Sequence, residues 1–143
     1  RHLARGHNPF LINSREEFKY FYGMTMASPP WVPRVVLDAM AHRYEQARDE
    51  LEEIFRDFRA SPPMEPKLPG ITAPALLLWG RKDRLIDVSS VAIWSKGLAN
   101  LRVEVWEGIG HMPMVEAPAG SARLYREFLA SLRSESPQDQ RLH

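Results

Sequence analysis

Along the chain the spacing of apolar positions changes twice, from helical to strand-like and back to helical. Phe18, Phe21 and Tyr22 stand at i, i+3 and i+4 and make one aromatic face of a helix expected from about Arg15 to Met24. Ser14-Arg15-Glu16-Glu17 has the form of a capping box, in which Ser14 and Glu17 reciprocally satisfy free backbone donors at the helix start. Ser28-Pro29-Pro30-Trp31-Val32-Pro33 reads as a loop, because proline removes a donor and turns its predecessor away from helix. Pro33 suits a first helical position, and Arg34 to Ala60 favours helix throughout, at a length that fits two helices. Within it Leu51, Ile54, Phe55 and Phe58 form an apolar stripe, while Glu50, Glu53 and Asp57 mix with Arg48, Arg56 and Arg59 on a solvated face.

The period then shortens. Ala75 to Trp79 is too brief for a helix and is bracketed by Pro74 and Gly80, so it reads as a buried parallel strand. Val103 and Val105 alternate with Arg102 and Glu104, a second strand with one more exposed face, closed by a Gly108-x-Gly110 turn. Val88 to Ala99 between them is long enough for a crossover helix, which makes the unit β-α-β and its strands parallel. After Pro118, Ala122, Leu124, Tyr125, Phe128, Leu129 and Leu132 give the apolar positions of a last helix packed on the sheet. The expected organisation is a connector over 1–13, a helical segment over 14–60, a linker over 61–70, an α/β unit over 71–133 and a flexible polar tail over 134–143.

Parallel strands deliver their outgoing loops to one edge of the sheet, where ligands of open α/β sheets bind. Asp83 lies just past the first strand and His111 just past the second. An acid and a histidine at that edge are candidates for the second and third members of a Ser-Asp-His relay. Histidine takes the serine proton and returns it to the leaving group, and the carboxylate fixes the imidazole tautomer. The glycines flanking Ile109 leave the loop free to carry His111 back towards its partners. Asp87 is the rival acid, but its place before Val88-Ser89-Ser90 suits a helix cap. Glu116, two residues before Pro118, is expected as a charge favoured at the amino end of the last helix. Trp79, Trp106 and Met112 read as core or pocket lining, and His42 as a surface residue.

Those residues carry a resemblance. W-G-R-K-D-R-L-I-D and G-H-M-P-M-V-E-A-P together resemble the C-terminal end of an α/β-hydrolase, most of all the bacterial lipase and monoacylglycerol-lipase-like branch. The likeness runs from about Asn8 to Leu132 and is most specific between Ile71 and Phe128. It implies that Asp83 is the catalytic acid and His111 the base, and the order acid then histidine agrees with that family. It also implies that 14–60 is a helical cap over the sheet. Phe21, Trp31 and Met112 are its candidate contacts for a lipophilic ester substrate, since flat rings and thioethers accommodate acyl chains. The resemblance implies no cofactor. The family's nucleophile stands in G-x-S-x-G, yet no two of the eight glycines are four apart, and no H-G-G-G-like stretch is present. With an opening at Arg1, this leads us to expect the C-terminal half of a longer hydrolase, a partial α/β fold that pairs with its complementary N-terminal half or self-associates through an open sheet edge. Other chemistries of the same fold remain open at this point: C–C bond hydrolysis, epoxide hydrolysis, dehalogenation, or a non-catalytic interaction module.

Composition narrows the partners. The 143 residues carry 19 basic and 18 acidic side chains, a net charge of +1, so no bulk attraction to nucleic acid is expected. The absence of cysteine removes disulfides, thiolate metal sites and a cysteine nucleophile. His2 and His7 lack further ligands at a suitable spacing, so no metal site is expected there. No apolar run approaches a membrane span. The compartment stays open, with the cytoplasm the expectation and any targeting signal lying upstream of Arg1.

Overall fold

The computed structural model describes residues 10–134. The expectations for 1–9, His2 and His7 among them, and for 135–143 of the tail lie outside the described residues.

Helix α1 (Arg15–Thr25) begins on the expected cap, Ser14 Oγ accepting from Glu17 N. The reciprocal bond falls one residue earlier than expected: the Glu17 carboxylate accepts from Asn13 N at 2.7 Å. The helix buries Phe18, Phe21 and Met24, and Ile12, from the stretch expected to be a connector, is fully buried beside them. Ile12, two residues before the Ser14 cap, shares one cluster with Phe18, Phe21, Met24 and Ala41, so this end of the connector joins the core. Helices α2 (Arg34–Gln46) and α3 (Arg48–Ala60) divide the long helical stretch at Ala47. Arg15 and Asp38 form an ion pair between α1 and α2. Phe10 stacks on Phe55 at 4.8 Å, while Ile54 and Phe58 of the same α3 stripe stay exposed. Only the Leu51 and Phe55 edge of that stripe is half-buried, so α3 meets the rest of the described residues by one side of its apolar face.

The stretch expected as a linker is ordered at its end. Glu65–Gly70 forms a 3₁₀ helix whose Leu68 is buried against α4 (Ser90–Gly97). A Cβ on Gly97 would stand 2.6 Å from the Leu68 side chain, so the contact depends on that glycine.

Strands β1 (Ala75–Gly80) and β2 (Leu101–Trp106) pair in parallel from Ala75 opposite Leu101 to Gly80 opposite Trp106. Asn100 anchors their start, its O accepting from Ala75 N and its Nδ2 donating to Thr72 O. Helix α4 is shorter than the expected Val88 to Ala99 because Asp87 to Ser89 forms a turn first, Ser89 N donating to Asp87 Oδ1 and Ser90 N to Asp87 O. A short helix, α5 (Pro113–Glu116), precedes α6 (Pro118–Ser134) and was not foreseen, since four residues show no periodicity. Gly120 of α6 sits against the Trp106 ring, and Arg102 pairs with Glu127 of α6. The Arg102, Glu104 and Trp106 face of β2 thus receives α6. The expectation that β1 is fully buried is corrected: Ala75 to Trp79 are half-buried, because among the described residues β1 has a neighbouring strand on one side only.

Candidate active site

Asp83 sits three residues beyond β1 on a tight turn, its N–H donating to Gly80 O at 3.1 Å. Its side chain is only 3% exposed, so the carboxylate needs partners for its oxygens. Oδ1 accepts from Leu85 N and Ile86 N, both at 2.9 Å, and Oδ2 lies 2.8 Å from His111 Nδ1. Two backbone donors on one oxygen hold the carboxylate in one orientation and leave the other oxygen for the imidazole.

His111 reaches that oxygen because its loop is bound down on several sides. Gly108 turns the chain after β2 with φ of 76°, a conformation that a side chain rarely adopts. The loop then crosses the end of β1 so closely that a Cβ on Gly80 would stand 2.0 Å from Gly110 O. Arg81 N donates to Trp106 O at 3.0 Å and Lys82 N to Ile109 O at 2.8 Å, which stitches the two post-strand loops together. Arg81 and Glu107 add an exposed ion pair outside them. His111 N donates to Thr25 O, the last residue of α1, at 3.0 Å. A carboxylate only accepts, so Nδ1 carries the proton facing Asp83, and Nε2 is left as the basic nitrogen. The imidazole is 37% exposed, open enough to meet a reacting group.

Glu116 is the residue that sequence reasoning missed. Its expected role was a favourable charge at the amino end of the last helix. Its carboxylate instead accepts from Gly110 N at 2.8 Å through Oε1, and from Ala27 N at 2.8 Å and Ser28 N at 3.0 Å through Oε2. No periodicity signals such a role, since the donors are main-chain groups 6, 89 and 88 residues away.

A small cavity of about 100 Å³ is lined by Leu78, Trp79, Gly80, Asp83 and His111. Trp79 also borders a larger apolar groove of about 530 Å³ that includes Phe58, Met64, Leu68, Ile93 and Trp94. Of the other predicted site residues, Met112 follows His111 and caps α5. Phe21 is buried in the cluster formed with Ile12, Phe18, Met24 and Ala41, 5.3 Å from the Phe10 ring and 5.8 Å from that of Tyr44. Trp31 is 86% exposed on the proline loop. Neither Phe21 nor Trp31 lines the cavity at His111. Asp87, the rival acid, accepts from Ser89 N at 2.9 Å through Oδ1, while it is Asp83 Oδ2 that meets His111 Nδ1. Among the described residues no helix is long and apolar enough to cross a membrane.

No family model matches the chain. In sequence it is 32% identical over 135 residues, 90% of its own length, to Lipase 1 of Psychrobacter immobilis. Over 64 residues, 45% of the chain, it is 39% identical to the monoacylglycerol lipase ABHD6 of Mus musculus, covering 19% of that protein. In structure, 92% of the chain superposes with a TM-score of 0.87 and 36% identity on 43% of a crystal structure described as a membrane phospholipase A, a bacterial virulence factor. The chain spans 41% of the length of the Psychrobacter lipase. Its two parallel strands with helices on them are part of an α/β-hydrolase fold, and its relatives are lipases.

Proposed function

We propose that this chain, part of a lipase-like α/β-hydrolase, supplies the acid and the base of a Ser-His-Asp relay that hydrolyses carboxylic esters, with the serine supplied from outside these 143 residues. The observation that carries the reading is the 2.8 Å bond between His111 Nδ1 and an Asp83 carboxylate already fixed by two amides. His111 Nε2 takes the serine proton as the hydroxyl attacks the ester carbonyl, then returns it to the departing alcohol; the same nitrogen next activates the water that cleaves the acyl-serine. Asp83 keeps Nδ1 protonated throughout and stabilises the imidazolium as it forms.

The substrate class is drawn from the surroundings and the relatives. Leu78 and Trp79 form an apolar wall beside the pair, and Trp79 continues into the larger groove. We read the substrate as a lipophilic ester of the acylglycerol kind, in keeping with relatives named as lipases.

The test uses the longest polypeptide that carries this sequence. His111→Ala lowers ester turnover by several orders of magnitude, on the order of 10⁴-fold, with the fold retained. Asp87→Asn leaves turnover close to that of the parent. Near-normal turnover in a folded His111→Ala protein refutes the assignment.

A further inference from the structure

We propose that Glu116 is a positioning residue: its carboxylate clasps the His111 loop to the entry of the cap's proline loop, so that cap and base move as one body. This rests on His111 being the base. The two catalytic side chains are held in different ways. Asp83 is fixed within its own post-strand turn, by Gly80 O and the Leu85 and Ile86 amides. His111 stands on a stretch between β2 and α5 with no regular structure, so its place depends on tethers to other segments. Some of those tethers run to the loop after β1, through Lys82 N to Ile109 O, and the others converge on residues 25–28 of the cap. His111 N donates to Thr25 O, and the residue before it, Gly110, shares the Glu116 carboxylate with Ala27 and Ser28.

Three amides on one carboxylate are charge-assisted bonds, stronger than neutral ones, and they satisfy both oxygens. The contact leaves no slack. A Cβ on Gly110 would stand 2.6 Å from Ala27 N and 2.9 Å from Glu116 Oε1. The geometry also sets which change is informative. Glutamine keeps one acceptor oxygen and turns the other into a donor, so either Gly110 or the Ala27 and Ser28 pair faces an N–H. The side chain keeps its volume, yet half of the clasp is lost.

The experiment compares Glu116→Gln, Glu116→Ala and the control Glu107→Gln, whose exposed pair with Arg81 lies on the same loop, in the longest polypeptide that carries this sequence. A base displaced by about 1 Å costs on the order of 10²-fold in turnover. We expect Glu116→Gln to lower kcat to about that extent with KM unchanged, Glu116→Ala to lower it further, and Glu107→Gln to leave both constants at the parent values. Nitrogen NMR of ¹⁵N-histidine-labelled protein gives a readout that needs no substrate. The parent shows His111 fixed as the Nδ1–H tautomer, and Glu116→Gln shows it averaging between tautomers. If Glu116→Ala does not fold, Glu116→Gln decides the matter. An unchanged His111 signal in Glu116→Gln overturns the proposal even if kcat falls, and so does an unchanged kcat where the parent is active. A parent that hydrolyses no ester but loses its fixed tautomer on Glu116→Gln refutes the ester hydrolase reading and leaves the clasp standing.

Discussion

Replacing Asp83 by asparagine separates the proposed relay from the fold more cleanly than any truncation. The asparagine carbonyl can keep the two bonds from Leu85 N and Ile86 N, which puts the NH₂ group where Oδ2 now meets His111 Nδ1 at 2.8 Å. Two donors then face each other, and the imidazole resolves this by moving its proton to Nε2, the nitrogen that accepts from serine in the proposed relay. Loss of the right tautomer costs about 10⁴-fold in turnover in the best-measured relay, equivalent to about 5.5 kcal/mol of barrier. The folding cost is smaller: the two amide bonds and the imidazole bond each exchange a charged partner for a neutral one, about 1 kcal/mol apiece. Alanine at the same position also strips the part-buried Leu85 amide of its acceptor, about 1–3 kcal/mol more, and so mixes the two effects. The assay is turnover of a chromogenic ester beside a thermal unfolding curve on the same preparation. A folded Asp83→Asn protein that keeps turnover within about tenfold of the parent, a barrier change near 1.4 kcal/mol, refutes the reasoning.

Three further expectations concern the N-terminal helices, the proline loop and the sheet. Phe21→Ala removes a buried ring packed on Phe10 and Tyr44 and should cost about 3–5 kcal/mol in denaturant unfolding; a change below about 1 kcal/mol, well under the usual cost of a core aromatic, would contradict its core placement. Trp31, 86% exposed, should cost less than about 0.5 kcal/mol as alanine, so a changed ranking of short against medium acyl esters reports substrate contact, and an unchanged ranking rejects it. The purified 143-residue chain should self-associate in light scattering and hydrolyse no ester, because β1 is paired on one side only among the described residues and its apolar residues are half covered. A monodisperse, active chain would overturn that expectation.

How much the sequence discloses here is governed by how local each cause is. Strand runs, the crossover and the Ser14 cap arise from neighbours within a few residues, and β1, β2 and α1 lie close to where the pattern puts them. Asp83 and His111 were legible because parallel strands carry their outgoing loops to one edge, where the structure brings the two side chains into contact. Glu116 was not legible, because its partners are main-chain amides whose positions depend on how the His111 loop meets the cap. Burial was misjudged for the same reason. The run Ala75 to Trp79 says that the strand is apolar on both faces, but coverage comes from other segments, and the described residues supply only part of it.

The alignment of β1 with β2 has a consequence for what an activity measurement counts. Ala75 to Trp79 is apolar on both faces, so sliding one strand past the other by one residue, about 3.3 Å, exposes no polar group of β1 to the core. A slide of two residues, about 6.6 Å, returns every β2 side chain to its original face as well. Greasiness alone therefore does not index the pair. The bonds beyond the strand ends do: Arg81 N to Trp106 O, Lys82 N to Ile109 O and Asp83 to His111 close in the observed alignment and are pulled apart in either displaced one. A displaced molecule would keep its helices and strands and give the same far-ultraviolet spectrum, yet lack the Asp83–His111 contact. If Asp83 and His111 form the relay proposed above, specific activity in a refolded sample of the longest polypeptide that carries this sequence becomes a census of correctly indexed molecules, a number that spectroscopy of secondary structure cannot supply.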